Sequence, residues 1–282
     1  MSKQLKMAKL SLSLVVGTGL LAPTCLVAAQ DTAPAANKAP YMDARIKEEI
    51  AAGAPALGAP IPKGTPRGPG SLRGVWYPAG TGGADHTVDG DPIPMMPWVK
   101  AAMDKRASDA KAGHPYAGSK SRCLPAGLPQ EMTGPKTLGL RIIEEPKIVT
   151  VLIEEMTNFR QIFLDAKHSP DAIPSYQGDS VGHWEGDTLV VESTTFNPDV
   201  DVGGRPHSPE ARTIERMRRI APDWIEYYIT IDDPKAYTKP WTMPRRTLKR
   251  EPWNIYEYIC TNQRNGTDET GNTGLQLESP HQ

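Results

Sequence analysis

The sequence predicts a mostly-β protein, an antiparallel β-barrel with a short helix and long loops. Three observations predict this fold class. Between residues 140 and 260 the chain contains about nine short segments of strand composition, separated by turn signals at intervals of roughly 8–15 residues. Glu185-Gly186-Asp187 joins two of these segments as in a β-hairpin. Helical periodicity is rare there, so we expect a single barrel domain over residues 71–260.

The N-terminus has the three-part pattern of a secretory signal peptide. Lys3, Lys6 and Lys9 form a positively charged region without acidic residues. An apolar stretch of about 13 residues follows, which is shorter than the roughly 20 residues that span a bilayer. Small residues then precede a cleavage position near Ala29. We therefore expect residues 1–29 to be removed and the mature protein to be periplasmic or secreted.

The charge of the mature chain argues against a nucleic-acid partner. Removal of three lysines leaves 29 basic and 33 acidic residues, so the formal net charge is −4. A nucleic-acid surface requires a basic stripe, which this composition does not favour. No later segment is apolar enough to cross a bilayer, so we expect no membrane span in the mature chain. The sequence leaves the oligomeric state open.

The segments before the barrel differ from it in composition. Residues 30–70 are rich in Ala, Pro and Gly, and we expect a flexible arm that includes a short helix within residues 41–50. A first strand is expected over residues 72–77. Residues 96–110 have helical composition, with Pro97 at a position that a helix tolerates.

The remaining strands are expected between residues 140 and 260. Phe159, Gln161 and Phe163 alternate with Arg160 and Ile162, as on the two faces of a strand. A second turn signal separates two segments at residues 221–223. The expected strands cover residues 140–144, 148–154, 159–165, 180–184, 188–194, 212–220, 224–231, 247–250 and 255–260. The polar residues 261–282 are expected to form a frayed tail.

Cysteine usage fits an oxidising compartment. Cys25 leaves with the signal peptide, and Pro23-Thr24 disfavours lipid attachment at that cysteine. Cys123 and Cys260 remain, and two distant cysteines in an exported protein predict one disulfide. A loop of this length contributes about 4–5 kcal/mol in the chain-entropy description. Two free buried thiols are the alternative.

One long motif carries a resemblance to a known family. The stretch Gly182-His183-Trp184-Glu185-Gly186 continues as Asp-Thr-Leu-Val-Val, and it is preceded by Asp165-Ala-Lys-His168 and followed by Ile214-Glu-Arg216. Asp233-Pro, Pro240-Trp and the segment Cys123–Gly127 complete the pattern. Over roughly residues 71–260 the chain resembles a family of exported bacterial proteins. This resemblance implies a calycin-like (lipocalin-like) barrel.

The sequence departs from that family pattern at two places. The family tends to carry Gly-Arg before a His-Pro pair, whereas Ala166-Lys167 here precedes His168-Ser169. The closing cysteine of the family is usually followed by His and Glu, whereas Cys260 leads into Thr and Asn. A function that depends on those positions in relatives would be altered in this chain.

The candidate catalytic residues follow strand ends. Asp165 and His168 lie just after a predicted strand that carries Arg160, and a carboxylate can orient an imidazole so that it acts as a base. His183 lies on one face of a strand with Glu185 and is a second candidate base. The alternative is that Asp165 caps a turn, that both histidines lie on the surface, and that Glu185 and Asp187 belong to the hairpin.

Candidate substrate-binding residues include two arginines and several aromatic residues. Only one of the neighbours Glu215 and Arg216 can point into the barrel, and we expect Arg216 to bind an anionic group of the substrate, with Arg160 as a second substrate-binding candidate. A structural ion pair between strands is the alternative. Tyr227, Tyr258 and Trp184 are candidates for an apolar or aromatic ligand, although such residues are more often part of a core.

Neither a metal nor a cofactor is assigned from the sequence. His168, His183, Asp165 and Glu185 include metal-ligand residue types, but their spacing is not diagnostic. No standard nucleophile, phosphate-binding or redox motif occurs in the chain.

Three classes of function remain open. The first is a small-molecule lyase, isomerase or hydrolase that uses acid–base chemistry in the barrel mouth. The second is a non-catalytic, lipocalin-like carrier in the periplasm, and the third is a structural or interaction module of the cell envelope. An enzyme should gather the candidate acids and bases in one pocket, whereas an interaction module should have a filled barrel and an exposed apolar patch.

Overall fold

The computed structural model describes residues 41–80, 83–134 and 138–258, together with residue 260. The expected signal peptide and C-terminal tail lie outside the described residues. Helix α1 (Ala44–Ala51) and helix α2 (Pro97–Lys111) confirm the two predicted helices. Among the described helices, none combines the length and the apolar character that crossing a bilayer requires.

Ten strands form one sheet that closes into a barrel, which confirms the mostly-β fold class. Strands β1 to β8 are neighbours in chain order, and β10 closes the barrel by pairing with both β1 and β8. The strands are β1 (Gly74–Pro78), β2 (Leu140–Glu144), β3 (Ile148–Ile153), β4 (Asn158–Leu164), β5 (Asp179–Glu185), β6 (Thr188–Thr194), β7 (Arg212–Ala221), β8 (Trp224–Asp232), β9 (Trp241–Thr242) and β10 (Arg246–Arg250).

One junction of the barrel is parallel, which the sequence did not indicate. Strand β4 pairs with β5 in parallel over two residue pairs, Phe163 with Val181 and Leu164 with Gly182. The other pairings in the described sheet are antiparallel. The chain between β4 and β5, residues 165–178, returns along the barrel before β5 starts, and this return makes the two strands parallel.

Strand β8 pairs along its length with two short strands. Thr242 of β9 pairs with Thr230, and Arg246 of β10 pairs with Tyr227. Between these two pairs the chain advances by four residues from β9 to β10 but by three residues along β8. This extra residue interrupts the edge in the manner of a β-bulge. Residues 255–258, where a closing strand was expected, are irregular, because β10 already fills the place between β1 and β8.

The inward and outward faces of the strands alternate as a half-buried barrel requires. On β4, Arg160 and Ile162 point inward and are buried, whereas Phe159 is 61% exposed on the outside. Ile143 on β2 and Phe163 on β4 are also exposed, so the outer face of strands β2 to β4 carries apolar side chains. The outer face of β5 to β8 instead carries ion pairs between acidic and basic side chains.

The end of the barrel that holds the β5–β6 and β7–β8 hairpins, here the lower end, is closed by the chain that precedes β1. Leu72 is fully buried there, and the Glu144 carboxylate accepts hydrogen bonds from the backbone N–H groups of Gly70 (2.5 Å) and Leu72 (2.7 Å). Arg219 donates a hydrogen bond to the carbonyl oxygen of Ser71 at 3.0 Å. The described part of the predicted arm therefore packs against the barrel.

The opposite end, here the upper end, is covered by residues 119–134. Leu128 and Met132 from this segment are fully buried in the barrel core. A disulfide joins Cys123 to Cys260, with 5.6 Å between the two Cα atoms, and confirms the predicted bridge. The bridge links the covering segment to the chain that follows β10.

Candidate functional site

A cleft of about 410 Å³ opens at the upper end of the barrel. Lys120 and Gln130 form one wall, and both residues also line an adjoining cleft of about 250 Å³. Apolar groups, among them Met243 and Pro129, contribute to the lining of the larger cleft. The two clefts therefore form one concave region that includes both charged and apolar groups.

Four glycines line the larger cleft. Gly203 and Gly204 line it with φ angles of +65° and +78°, a backbone conformation that favours glycine. A Cβ atom on Gly203 would lie 3.1 Å from the indole of Trp241, which packs directly beneath this turn. Gly83 also lines the cleft, and a Cβ atom there would have no neighbour within 4 Å. Side chains can therefore be added at Gly83 but not at Gly203.

Two buried carboxylates lie behind the wall formed by Lys120. Glu155 forms an ion pair with the Lys120 ammonium group through Oε1, and its Oε2 atom has no hydrogen-bond partner. Glu131 accepts hydrogen bonds from the backbone of Ala126 (2.5 Å) and from Asn158 Nδ2 (3.3 Å). Burial, helped by the nearby charge of Glu155, raises the pKa of Glu131 to about 7.

A strained turn places Glu155 at this position. Met156 and Thr157, which follow it, have φ angles of 59° and 41°, a region that non-glycine residues rarely occupy. The turn is held by Asn158, whose side chain donates to the carbonyl oxygen of Glu155 at 2.7 Å. Thr157 Oγ1 donates to the carbonyl oxygen of Tyr258 at 2.7 Å and accepts from its N–H group at 3.0 Å. Strain of this kind often accompanies functional sites.

Arg205 lies beneath the floor of the larger cleft. Its guanidinium group donates to the carbonyl oxygens of Gly203 (2.8 Å) and Ala84 (3.0 Å), both of which belong to residues that line the cleft. The group also lies 5.5 Å from the centre of the Trp241 ring. Burial lowers the pKa of Arg205, which still carries its positive charge at neutral pH.

The barrel interior contains a polar network that is separate from the cleft. Arg160, 1% exposed, forms two contacts with the Glu215 carboxylate and donates to Ser180 Oγ (3.1 Å) and Ser193 Oγ (2.7 Å). Tyr227 donates to Glu215 Oε1 at 2.8 Å, and burial together with this carboxylate raises the pKa of Tyr227 far above its usual value. All three donor nitrogens of Arg160 are used within the protein, so its expected role in substrate binding does not fit this position.

His168 lies on the outer surface, where its Nδ1 atom is 2.8 Å from Asp179 Oδ2 and its Nε2 atom is 3.3 Å from Glu192 Oε1. The expected pair with Asp165 is not formed. The Asp165 Oδ2 atom lies 3.7 Å from Lys147 Nζ instead. A carboxylate does orient the imidazole, but it comes from β5 rather than from the preceding turn.

His183, Glu185 and Arg216 form an exposed cluster at the lower end of the outer face. Glu185 contacts His183 Nε2 at 3.1 Å and Arg216 Nη2 at 2.7 Å. The hydrogen bond from Arg216 lowers the pKa of Glu185 most, and the contact with His183 lowers it further. Arg216 points outward while Glu215 points inward, so the anion-binding role expected for Arg216 inside the barrel is not met.

The aromatic candidates are distributed over different parts of the molecule. Tyr227 belongs to the interior network, and Trp184 packs partly buried against the core. Tyr258 lies beside the strained turn at the upper end. In the part of the chain that the structure describes, His, Cys, Asp and Glu side chains do not gather in groups of three that could hold a metal ion.

The structure thus brings together a set of residues that differs from the predicted one. Lys120 and Glu131 come from the covering segment 119–134, whereas Glu155 and Arg205 come from two other turns, and no local pattern marks the four residues as neighbours. The adjacent glycines Gly203-Gly204, which line this cleft, are a sequence signal that could have indicated a turn here. Comparisons with protein-family models, with curated proteins and with solved structures found no match to this chain.

Proposed function

We propose that this protein binds a small organic molecule in the cleft at the upper end of the barrel. The observation that carries this proposal is the cleft of about 410 Å³ with its mixed polar and apolar lining. Ligand sites in proteins typically enclose roughly 300–1,000 Å³ and combine apolar walls with a few polar groups. Binding without catalysis corresponds to the lipocalin-like alternative that the sequence left open.

The positions of the two histidines support binding rather than histidine-based catalysis. His168 and His183 both lie on the outer face of the barrel, and neither lines the two described clefts. An acid–base enzyme built on Asp165, His168 and His183 would need these groups in one pocket.

Native mass spectrometry tests the proposal. Protein purified from the envelope or medium of its host should retain a small organic molecule in the wild type. Gly83→Trp should lose it, because the substitution adds a bulky side chain at a residue that lines the cleft. Gly83→Ala is the matched control and should retain the molecule. An empty wild type, or equal retention by Gly83→Trp, would contradict the proposal.

A second candidate function is acid–base catalysis at the same cleft. The specific observation in its favour is the pair Glu131 and Glu155, since burial raises the pKa of the first carboxyl group to about 7 and the second forms an ion pair with Lys120. Enzymes often separate the protonation states of two carboxyl groups in this way. Glu155, whose Oε2 atom has no hydrogen-bond partner, is the base that this reasoning assigns.

The enzyme proposal can be tested without a known substrate. A low-molecular-mass extract of the host is incubated with the wild type or with Glu155→Gln, and the mixture is compared by mass spectrometry. Catalysis predicts a compound that the wild type consumes over many turnovers and that Glu155→Gln leaves unchanged. Loss of a compound only in an amount equal to that of the protein would indicate binding alone.

We further propose that binding takes place in the periplasm or outside the cell. The support is the signal-peptide pattern of residues 1–29 together with the disulfide between Cys123 and Cys260. Fractionation of the host cells, followed by N-terminal sequencing, tests this location. The mature chain should begin near Gln30, whereas a cytoplasmic protein that retains residue 1 would contradict it.

A further inference from the structure

The charges around the larger cleft are not balanced. Lys120 is paired with Glu155, and Arg106 is paired with both carboxylate oxygens of Asp201 at 2.8 and 3.0 Å. Arg205 forms no ion pair with a described residue, and it donates only to neutral carbonyl oxygens. One positive charge beneath the cleft floor therefore has no contacting carboxylate.

The Arg205 side chain also has an unused donor. Its Nε atom is buried without a hydrogen-bond partner, which is costly for a charged group. Asp85 and Asp201 act on the guanidinium group only through space. The guanidinium group therefore has an unused donor and no carboxylate in contact among the described residues.

Lys120 supplies a second cation, on the wall of the cleft that it forms with Gln130. Its side chain is 44% exposed, and it lines both clefts. An ammonium group has three N–H donors, and Glu155 Oε1 accounts for one contact, so other donors can reach a bound molecule. Burial raises the pKa of Glu131, the second carboxyl group nearby, to about 7.

We propose that the ligand of this cleft is an organic anion, with its acidic group at Lys120 above Arg205 and its apolar body against Met243 and the glycine-lined floor. This inference rests on the proposed binding function and specifies its ligand class. Lys120 contacts the acidic group, and Arg205 acts as a positioning residue whose charge reaches the ligand through the floor.

Two fluorescent probes with the same apolar body test the charge requirement. Anilinonaphthalenesulfonate carries a sulfonate, whereas N-phenylnaphthylamine has the same ring system without that group. The wild type should bind the sulfonate probe about tenfold more tightly than the neutral probe, since charge-assisted contacts favour the anion. Gly83→Trp should weaken both probes, because it fills the space that they share.

Charge variants then locate the anion. Lys120→Met should weaken the sulfonate probe by about fivefold or more and leave the neutral probe within about twofold. Glu155→Gln should have the opposite effect on the sulfonate probe, because it releases Lys120 from its ion pair. Lys100→Met removes an exposed lysine of α2 and is the matched control. Arg205→Met should weaken the sulfonate probe in the same direction as Lys120→Met.

The possible results separate the two proposals. Equal affinity for both probes, or an unchanged preference in Lys120→Met and Glu155→Gln, would overturn the anion inference while leaving ligand binding in place. Binding of both probes that is insensitive to Gly83→Trp would contradict the cleft as the binding site. A failure of both probes to bind would overturn the anion inference. Phe159→Ser and Phe163→Ser remove exposed side chains of the outer face and show how much dye binds there.

Discussion

Arg160 is a buried cation that pairs with the Glu215 carboxylate and donates to two serine hydroxyl groups across the barrel interior. Its partners lie on β5, β6 and β7, and it extends across the junction where β4 and β5 share only two residue pairs. Gln177 crosses the same junction to Asn158 at 3.1 Å. Side-chain hydrogen bonds thus hold the barrel closed where the backbone ladder is short.

Removal of one partner from this network should destabilise the fold. Arg160→Met leaves Glu215 buried without its cation and should lower the free energy of unfolding by about 3–5 kcal/mol. Arg160→Met combined with Glu215→Met should recover a large part of this loss. Arg216→Met, which breaks an exposed pair, should cost less than about 1 kcal/mol. Denaturant titration of the wild type and the three variants measures these free energies of unfolding. A small effect of Arg160→Met alone would contradict the assigned role.

Glu131 makes stability depend on pH in a defined direction. Its pKa is raised from 4.5 to about 7 in the native state, so the folded protein holds this proton after the unfolded chain has released it. The free energy of unfolding should therefore fall as the pH rises through this interval, by about 3 kcal/mol at most. Glu131→Gln should remove this dependence between pH 5 and pH 7, roughly the interval set by the two pKa values.

A matched variant separates this effect from the general titration of the protein. Glu210→Gln removes an exposed carboxylate and should leave the slope of stability against pH unchanged. Thermal or denaturant unfolding at several pH values gives both slopes. A wild type whose stability rises over the same interval, with no difference in Glu131→Gln, would contradict the raised pKa.

At the level of single strands, the two faces of each strand have different roles. Ile142 and Ile143 are neighbours on β2, yet Ile142 is buried in the core and Ile143 is exposed on the outside. The alternation follows from the pleat, which directs successive side chains to opposite faces. The outer apolar face of β2 to β4 therefore contributes little to the core of the barrel.

The same substitution at these two positions tests the orientation of the strand. Ile142→Ala removes buried methyl groups and should cost about 2–5 kcal/mol of unfolding free energy. Ile143→Ala should cost less than about 1 kcal/mol, because its side chain is already partly in water. Equal costs at the two sites would mean that the outer face is covered by another surface in solution.

Over the whole molecule, the barrel is closed by segments that lie outside its strands. The chain before β1 covers the lower end through Glu144, and residues 119–134 cover the upper end. Cys123 follows the turn of 3-10 helix that carries Lys120, so the disulfide to Cys260 holds the wall of the cleft in place. The proposed binding site and global stability therefore depend on the same covering segment.

The disulfide should contribute strongly to global stability, since it spans 137 residues of sequence. The double variant Cys123→Ser with Cys260→Ser should lose about 4–5 kcal/mol of unfolding free energy, because the unfolded chain regains the freedom of a long loop. A reducing agent should lower the wild type to the same level and leave the variant unchanged. An effect of the reducing agent on the variant would indicate another cause.

The predictable features of this chain are those encoded by short stretches of sequence. The alternation along β4, the Gly186 hairpin and the helix that begins at Pro97 depend on side-chain period and backbone conformation within a few residues. The disulfide followed from a count of two remaining cysteines. Because successive residues of a strand point to opposite faces, the sequence also predicted that only one of Glu215 and Arg216 faces inward.

The tertiary structure decided which distant groups meet. It selected Glu215 as the inward residue, paired His168 with Asp179 rather than Asp165, and made β4 and β5 parallel. It also gathered Lys120, Glu131 and Glu155 at the upper end of the barrel. Local sequence encodes backbone conformation and the direction of side chains, whereas a binding site depends on strand order and loop paths, which are determined by packing across the whole barrel.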